Sequence, residues 1–223
     1  MLVELFTSEG CSDCPPADRL LGELDQKQSV PGAHAIVLSE HVTYWNHDGW
    51  IDPFSMPEVD QRQTEYGERF RLDSIYTPQA VVDGTTQMVG NNAPAVTRAI
   101  AAAARQPKEP LAINDAHWDN GTAIFTVQGR ADSNAKLIVA LAADATQSEV
   151  KRGENAGRTL HHVAVVRAIK EFNASAADGR QLRISGGPLS HEKDAAGPAR
   201  LVVFLVDRKT EHVTGVAEQS LNR

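Results

Sequence analysis

The sequence is short of long apolar runs, of basic charge and of cysteine. Its longest uninterrupted apolar stretch, residues 137–143, has seven members, far fewer than the roughly 18 that a membrane-spanning helix needs, so no membrane span is expected. Lys and Arg number 22 against 29 Asp and Glu, a net charge of −7. The deficit lies in residues 1–106, with 7 basic and 15 acidic side chains, net −8; residues 107–223 are net +1. Neither part offers the basic face that neutralises phosphates, so no nucleic-acid partner is expected. Two cysteines in 223 residues exclude a disulfide-stapled mini-protein. Met1 leads at once into a strand-like segment, without a cationic start, an apolar stretch and a small-residue cleavage site; no signal peptide is expected in the displayed chain. What is present, 41% hydrophobic residues, suffices for the core of one large or two modest domains.

The two cysteines stand in the segment Phe6-Thr7-Ser8-Glu9-Gly10-Cys11-Ser12-Asp13-Cys14-Pro15-Pro16. Bridging Cys11 to Cys14 closes a loop of about four residues, worth roughly 2 kcal/mol at most in the chain-entropy model, less than half of what a loop of about a hundred residues provides. The pair is poorly placed to staple a fold. It is well placed for chemistry, since two thiols within reach form and break a disulfide as electrons pass to or from a partner.

Residues 2–6 predict a short strand and 15–26 an amphipathic helix, with Leu20, Leu21 and Leu24 on one side. The continuous run Ala33-His34-Ala35-Ile36-Val37-Leu38, after Pro31-Gly32, predicts a buried parallel strand. A second helix is expected over 57–71, strands over 79–82 and 86–89 about the Asp83-Gly84 turn, and an alanine-rich helix over 95–105. Pro107 and Pro110 make 107–110 a linker. Beyond it, runs rich in Val, Ile, Leu and Phe at 122–128, 137–143, 163–169, 181–184, 201–206 and 213–217 replace the helical pattern. Roughly seven strands over about 110 residues predict an antiparallel β-sandwich.

The order β-α-β-α-β-β-α, with the CxxC between first strand and first helix and Thr77-Pro78 immediately before the third strand, resembles the thioredoxin fold. That resemblance implies a cis-proline pair, Thr77-Pro78, facing the redox cysteines. The expected fold is therefore an α/β thioredoxin-like domain over 1–106, then the linker 107–110, then an all-β, antiparallel β-sandwich-like domain over 111–223. The wording is more specific still. Residues 3–18, His41-Val42-Thr43-Tyr44-Trp45, Gly49-Trp50-Ile51-Asp52-Pro53-Phe54, Tyr76-Thr77-Pro78-Gln79 and the loop 153–160 are similar to the bacterial thioredoxin-like family catalogued as domain of unknown function twelve-twenty-three. The resemblance implies a thioredoxin-like domain fused to a β-rich one and a periplasmic or secreted location; it brings no established reaction.

Cys11 is the nucleophile candidate, because free N–H groups and the helix dipole at a helix start favour a thiolate. Cys14, one turn in, is the resolving thiol. Ser12 and Asp13 fill the spacer, and the Asp13 carboxylate opposes thiolate formation, which puts the pair nearer the reducing end of the disulfide-exchange range. Pro78, with Thr77, presents the opposing backbone to a bound segment. Glu4 is either a buried acid of the kind that helps to deprotonate the resolving cysteine in thioredoxins or a solvated edge residue. The stretch 41–54 follows the second strand at its carboxyl end, where open α/β sheets place their sites. Tyr44, Trp45 and Trp50 are either a wall that receives substrate over Cys11 or a satellite core, and His41 is either a proton shuttle or a structural histidine. The loop 151–158 either binds a partner or docks on the acidic first part. His161 and His162 alternate across a strand and cannot both face one metal.

These residues predict a thiol-disulfide oxidoreductase acting on protein thiols and disulfides, with a redox-active Cys11–Cys14 disulfide, no bound cofactor and no metal. The alternative is a non-catalytic binding protein or metallochaperone, in which His41, His47 or Met56 joins the two cysteines.

Overall fold

The computed structural model describes residues 1–47, 49–187 and 198–222. Its first elements follow the order read from the sequence: β1 (Leu2–Thr7), α1 (Pro15–Lys27), β2 (Ile36–His41), α2 (Pro57–Phe70), β3 (Gln79–Val82), β4 (Thr86–Val89) and α3 (Ala93–Ala103). Each helix has proline in its first two positions, where the missing N–H has no helical partner to lose. Gln28 and Arg71 end α1 and α2 in the left-handed region, each returning its N–H to the last turn. The Asn92 side chain caps α3 by accepting the Ala95 N–H. Strands follow: β5 (Leu111–Asp119), β6 (Thr122–Gly129), β7 (Ala135–Glu149), β8 (Thr159–Asn173), β9 (Asp178–Ser185), β10 (Ala199–Asp207) and β11 (Val213–Leu221).

The expected α/β thioredoxin-like domain followed by an all-β sandwich does not form. Strands from both parts of the chain join in one curled, mixed eight-stranded sheet, β11-β10-β7-β8-β2-β1-β3-β4, and β5-β6-β9 make a separate antiparallel sheet. With eleven strands and three α-helices among the described residues, the protein is mostly β. The seam lies at β2, which runs parallel to β1 along its whole length and meets β8 in parallel on its other side at Ser39↔Val165.

The physical reason is that β7 and β10 are apolar on both faces. Ile138, Ala140, Ala142, Val202, Phe204 and Val206 share a core with Leu2, Val3, Leu5, Leu21 and Ile100. Their neighbours Leu137, Val139, Leu141, Leu201, Val203 and Leu205 share a second core with Phe125, Val127 and Leu182 of the small sheet. A strand of a two-layer sandwich has one wet face; these have none and need a layer on each side. Burial is worth about 1.5–3 kcal/mol for each large aliphatic side chain, so leaving either face open is the less stable arrangement. The curl brings the β3–β4 turn against the start of β11, where the Val213 N–H donates to the Asp83 carbonyl at 2.9 Å. A side chain on Gly84 would have its Cβ 1.9 Å from the Glu211 carbonyl oxygen, so this closure requires glycine.

Candidate functional site

β1 ends at Thr7, and the chain turns through Ser8, Glu9 and Gly10 to Cys11. The Cys11 N–H returns to the Ser8 carbonyl at 3.2 Å. Cys14 is the N-cap residue of α1, its carbonyl accepting the Ala17 and Asp18 N–H groups. Cys11 and Cys14 form a disulfide with Cα atoms 5.4 Å apart. Both are buried, at 2% and 0% exposure, while Ser12 and Asp13 between them are exposed. The β1–β3 register pairs Phe6 with Gln79, which places the buried Pro78 at the end of the sheet from which the CxxC departs. The Thr77-Pro78 peptide is cis. Trp45 links the two segments: its indole N–H donates to Thr77 Oγ1 at 2.7 Å, and a Cβ on Gly10 would come within 2.9 Å of its carbonyl oxygen.

The other candidates are distributed as follows. Glu4 is fully buried but serves a different cluster. β1 alternates, so Thr7 faces α1, where its hydroxyl donates to Asp18 at 2.8 Å, while Glu4 faces α2 and binds Arg62 and the Tyr66 hydroxyl, the latter at 2.6 Å. Tyr44, Trp45 and Trp50 are half-buried and their polar tips are engaged: Tyr44 with Gln63, Trp45 with Thr77, and Trp50 with Glu9 at 2.9 Å. Burial pushes the Tyr44 phenol up to about 12. His41 is buried against Phe54 and His162, its Nδ1 2.7 Å from Asp52 Oδ2. His47 is exposed and stacks on Trp45, and Met56 packs against the apolar cores. Among the described residues no group of three His, Cys, Asp or Glu side chains is arranged to hold a metal ion.

A buried polar network that the sequence reading did not single out runs through Glu9 and Asp18, the residues that flank the CxxC. Asp18, one helical turn beyond Cys14, sits with Oδ2 3.8 Å from His162 Nδ1, and His162 Nε2 lies 3.2 Å from Glu9 Oε1. Glu9 also accepts from Trp50 and Ser148, and its N–H donates to Asp52 at 2.8 Å. The rings of His41 and His162 meet edge to face, centroids 4.6 Å apart. Burial raises the Asp18 carboxyl, partly offset by His162, His41 and the Thr7 hydroxyl. For His162 burial pulls down, but the hydrogen bond to Glu9 and the charges of Asp18, Glu9 and Asp52 outweigh it and hold the imidazole above its ordinary value. Asp52 ends below its ordinary value because His41 and the N–H groups of Glu9 and Phe54 overcome its burial. One clue to Asp18 was present in the sequence: an acid three residues before Leu21, on the apolar side of an amphipathic helix.

The loop 151–158, which joins β7 to β8, docks on the CxxC segment. The Asn155 amide donates to the carbonyls of Glu9, at 2.8 Å, and Cys11, at 2.9 Å, and Glu154 accepts the Ser12 N–H at 2.9 Å. Hydrogen bonds from the Ser12 side chain and N–H hold the exposed Glu154 carboxyl below its ordinary value.

Among solved structures, the chain is similar to a protein of Agrobacterium tumefaciens solved by X-ray crystallography. The identity is 22%, the TM-score 0.70, and the match covers 97% of this chain and 92% of that one, so the two share a fold. A domain of the outer membrane lipoprotein Omp28 from Porphyromonas gingivalis is also similar, at 20% identity and TM-score 0.34, covering 52% of this chain and 89% of that one. No curated protein matches the chain. The family model described as protein of unknown function (DUF1223) matches residues 2–206. With that match running from the first strand through the CxxC, the docked loop and into β10, the chain belongs to the DUF1223 family.

Proposed function

We propose that the protein is a thiol-disulfide oxidoreductase, exchanging its Cys11–Cys14 disulfide with a disulfide or dithiol of a partner protein. The observation that carries this reading is a disulfide at the start of α1 with a buried carboxylate, Asp18, one turn beyond it. In the reducing direction the Cys11 thiolate attacks one sulfur of the partner's disulfide. The partner's other sulfur leaves as a thiolate and takes a proton from water, and a mixed disulfide remains. Asp18 accepts the proton of the Cys14 thiol, and the Cys14 thiolate attacks the Cys11 sulfur. The partner's second thiolate departs, having gained two electrons that the CxxC has lost. Pro78 and the backbone around it form the edge against which the partner's segment lies. An oxidising compartment, periplasmic or secreted, suits a disulfide that persists at rest.

Reduction of insulin by the full chain, with a dithiol as electron source, tests the reading. Turnover is expected for the wild type and is expected to fall to background in Cys11→Ser. Cys14→Ala is expected to accumulate a mixed disulfide through Cys11. A wild type with no turnover, together with a Cys14→Ala that traps nothing, overturns it.

A further inference from the structure

Cys11 is held by a residue far away in the chain. The connection that supplies it, 150–158, is closed on itself: the Val150 N–H donates to the Arg158 carbonyl at 2.9 Å, the Gly157 N–H to the Val150 carbonyl at 2.8 Å and the Arg158 N–H to the Asn155 carbonyl at 3.1 Å. Within this exposed turn Asn155 is fully buried, between neighbours Glu154 and Ala156 that are exposed. Its carboxamide is fully engaged. Nδ2 donates to the carbonyls of Glu9 and Cys11, and Oδ1 accepts from the Arg158 guanidinium at 2.8 Å, which fixes which end of the amide faces the CxxC. Trp45 closes on Gly10 from another side. The backbone of residues 9–11 is thereby clamped independently of the disulfide itself.

We infer that Asn155 is a positioning residue for the redox pair: it keeps Cys11 facing Cys14 when the disulfide is open and so favours its re-closure. The inference deepens the oxidoreductase reading and rests on it. Closing a disulfide within a dithiol is favoured in proportion to how far the two thiols are already held together, because less chain freedom is lost. The Cys14 N–H also donates to the Cys11 carbonyl, at 3.3 Å, so Asn155 and the first turn of the CxxC share one acceptor and hold one geometry. Aspartate at position 155 would set a carboxylate against two carbonyl oxygens, so size alone does not substitute for the amide.

The test is the equilibrium of the full chain with reduced and oxidised glutathione, read by acid quenching, alkylation and mass. In Asn155→Ala the equilibrium constant for closing Cys11–Cys14 is expected to fall about tenfold, which for a two-electron couple is a rise of about 30 mV in potential. Asn155→Asp is expected to fall at least as far. Arg158→Met keeps the asparagine but frees its oxygen, and is expected to shift the constant less and in the same direction. A merely structural asparagine would lower thermal stability and leave this constant alone. An unchanged constant in folded Asn155→Ala overturns the inference and leaves the oxidoreductase reading standing; if that variant does not fold, an unchanged constant in Arg158→Met overturns it. A wild type that neither equilibrates with glutathione nor turns over insulin removes both.

Discussion

Asp18 and Glu4 show how one residue's place on a strand or helix decides its chemistry. Both are acids in the first two elements and both are buried, yet the alternation of β1 sends Glu4 toward α2, while Asp18 lies one helical turn beyond Cys14, bonded to Thr7. The sequence made Glu4 visible as an acid in an apolar strand but not the side of the sheet it faces, which depends on where α1 and α2 pack. Asp18→Asn is expected to slow resolution of the mixed disulfide by about a hundredfold in single-turnover experiments, the usual contribution of a placed base. An unchanged resolving rate would show that the Cys14 proton goes elsewhere. The pH dependence follows from the raised carboxyl. What Asp18 contributes to stability is whole below its unfolded value near 3.8 and is lost as pH rises through the higher folded value. Denaturant unfolding from pH 4 to 8 is therefore expected to show Asp18→Asn gaining on the wild type as pH climbs. His162, also raised, acts in the same sense higher up, its contribution whole below 6.5 and lost as pH passes its folded value.

At the scale of elements, α2 is bound to the sheet by a buried charge cluster. Arg62 from α2 pairs with Glu4 and donates to the Tyr66 hydroxyl at 2.8 Å, with Glu40 of β2 3.9 Å away. Burial and the Glu4 charge push the Glu40 carboxyl well above its ordinary value against the pull of Arg62. Removing one partner of such a cluster strands the others, so Arg62→Ala is expected to cost about 3–5 kcal/mol in denaturant unfolding while the exchange rate per folded molecule stays at the wild-type level. The helices were legible because proline at their starts and apolar spacing are local signals. β5 was not: it is half-exposed, and Asp115 in its middle takes φ 55° where the register with β6 shifts, which breaks the alternation that marks a strand. β7 and β8 run to 15 residues each, beyond the apolar runs 137–143 and 163–169, because their polar ends pair with each other out to Glu149↔Thr159.

For the whole molecule the decisive signal was the absence of alternation. The runs 137–143 and 201–206 are apolar at every position, the mark of strands covered on both faces, and taking them for sandwich strands with a wet face divided a sheet that is continuous. The long-range contacts of Asn155 and His162 left no local pattern to read. Because Phe204 of β10 lies in the core shared with β1 and α1, and under the Arg62 guanidinium at 5.1 Å, Phe204→Ala is expected to cost about 3–5 kcal/mol. That loss is expected to appear equally in far-ultraviolet circular dichroism and in alkylation of Cys11 and Cys14 under reducing conditions. Transitions that separate between the two probes would show that the parts of the sheet unfold on their own.

The docking of Asn155 on Cys11 also sets an order of events during synthesis. The two residues are 144 positions apart, so at about 5–20 residues per second the ribosome delivers the second roughly 7–30 s after the first. For that interval β2 has β1 on one side but lacks β8 on the other, and the Glu9 and Cys11 carbonyls lack the Asn155 amide. The segment that bears both cysteines is therefore made early and is enclosed only when the chain's own later sequence arrives.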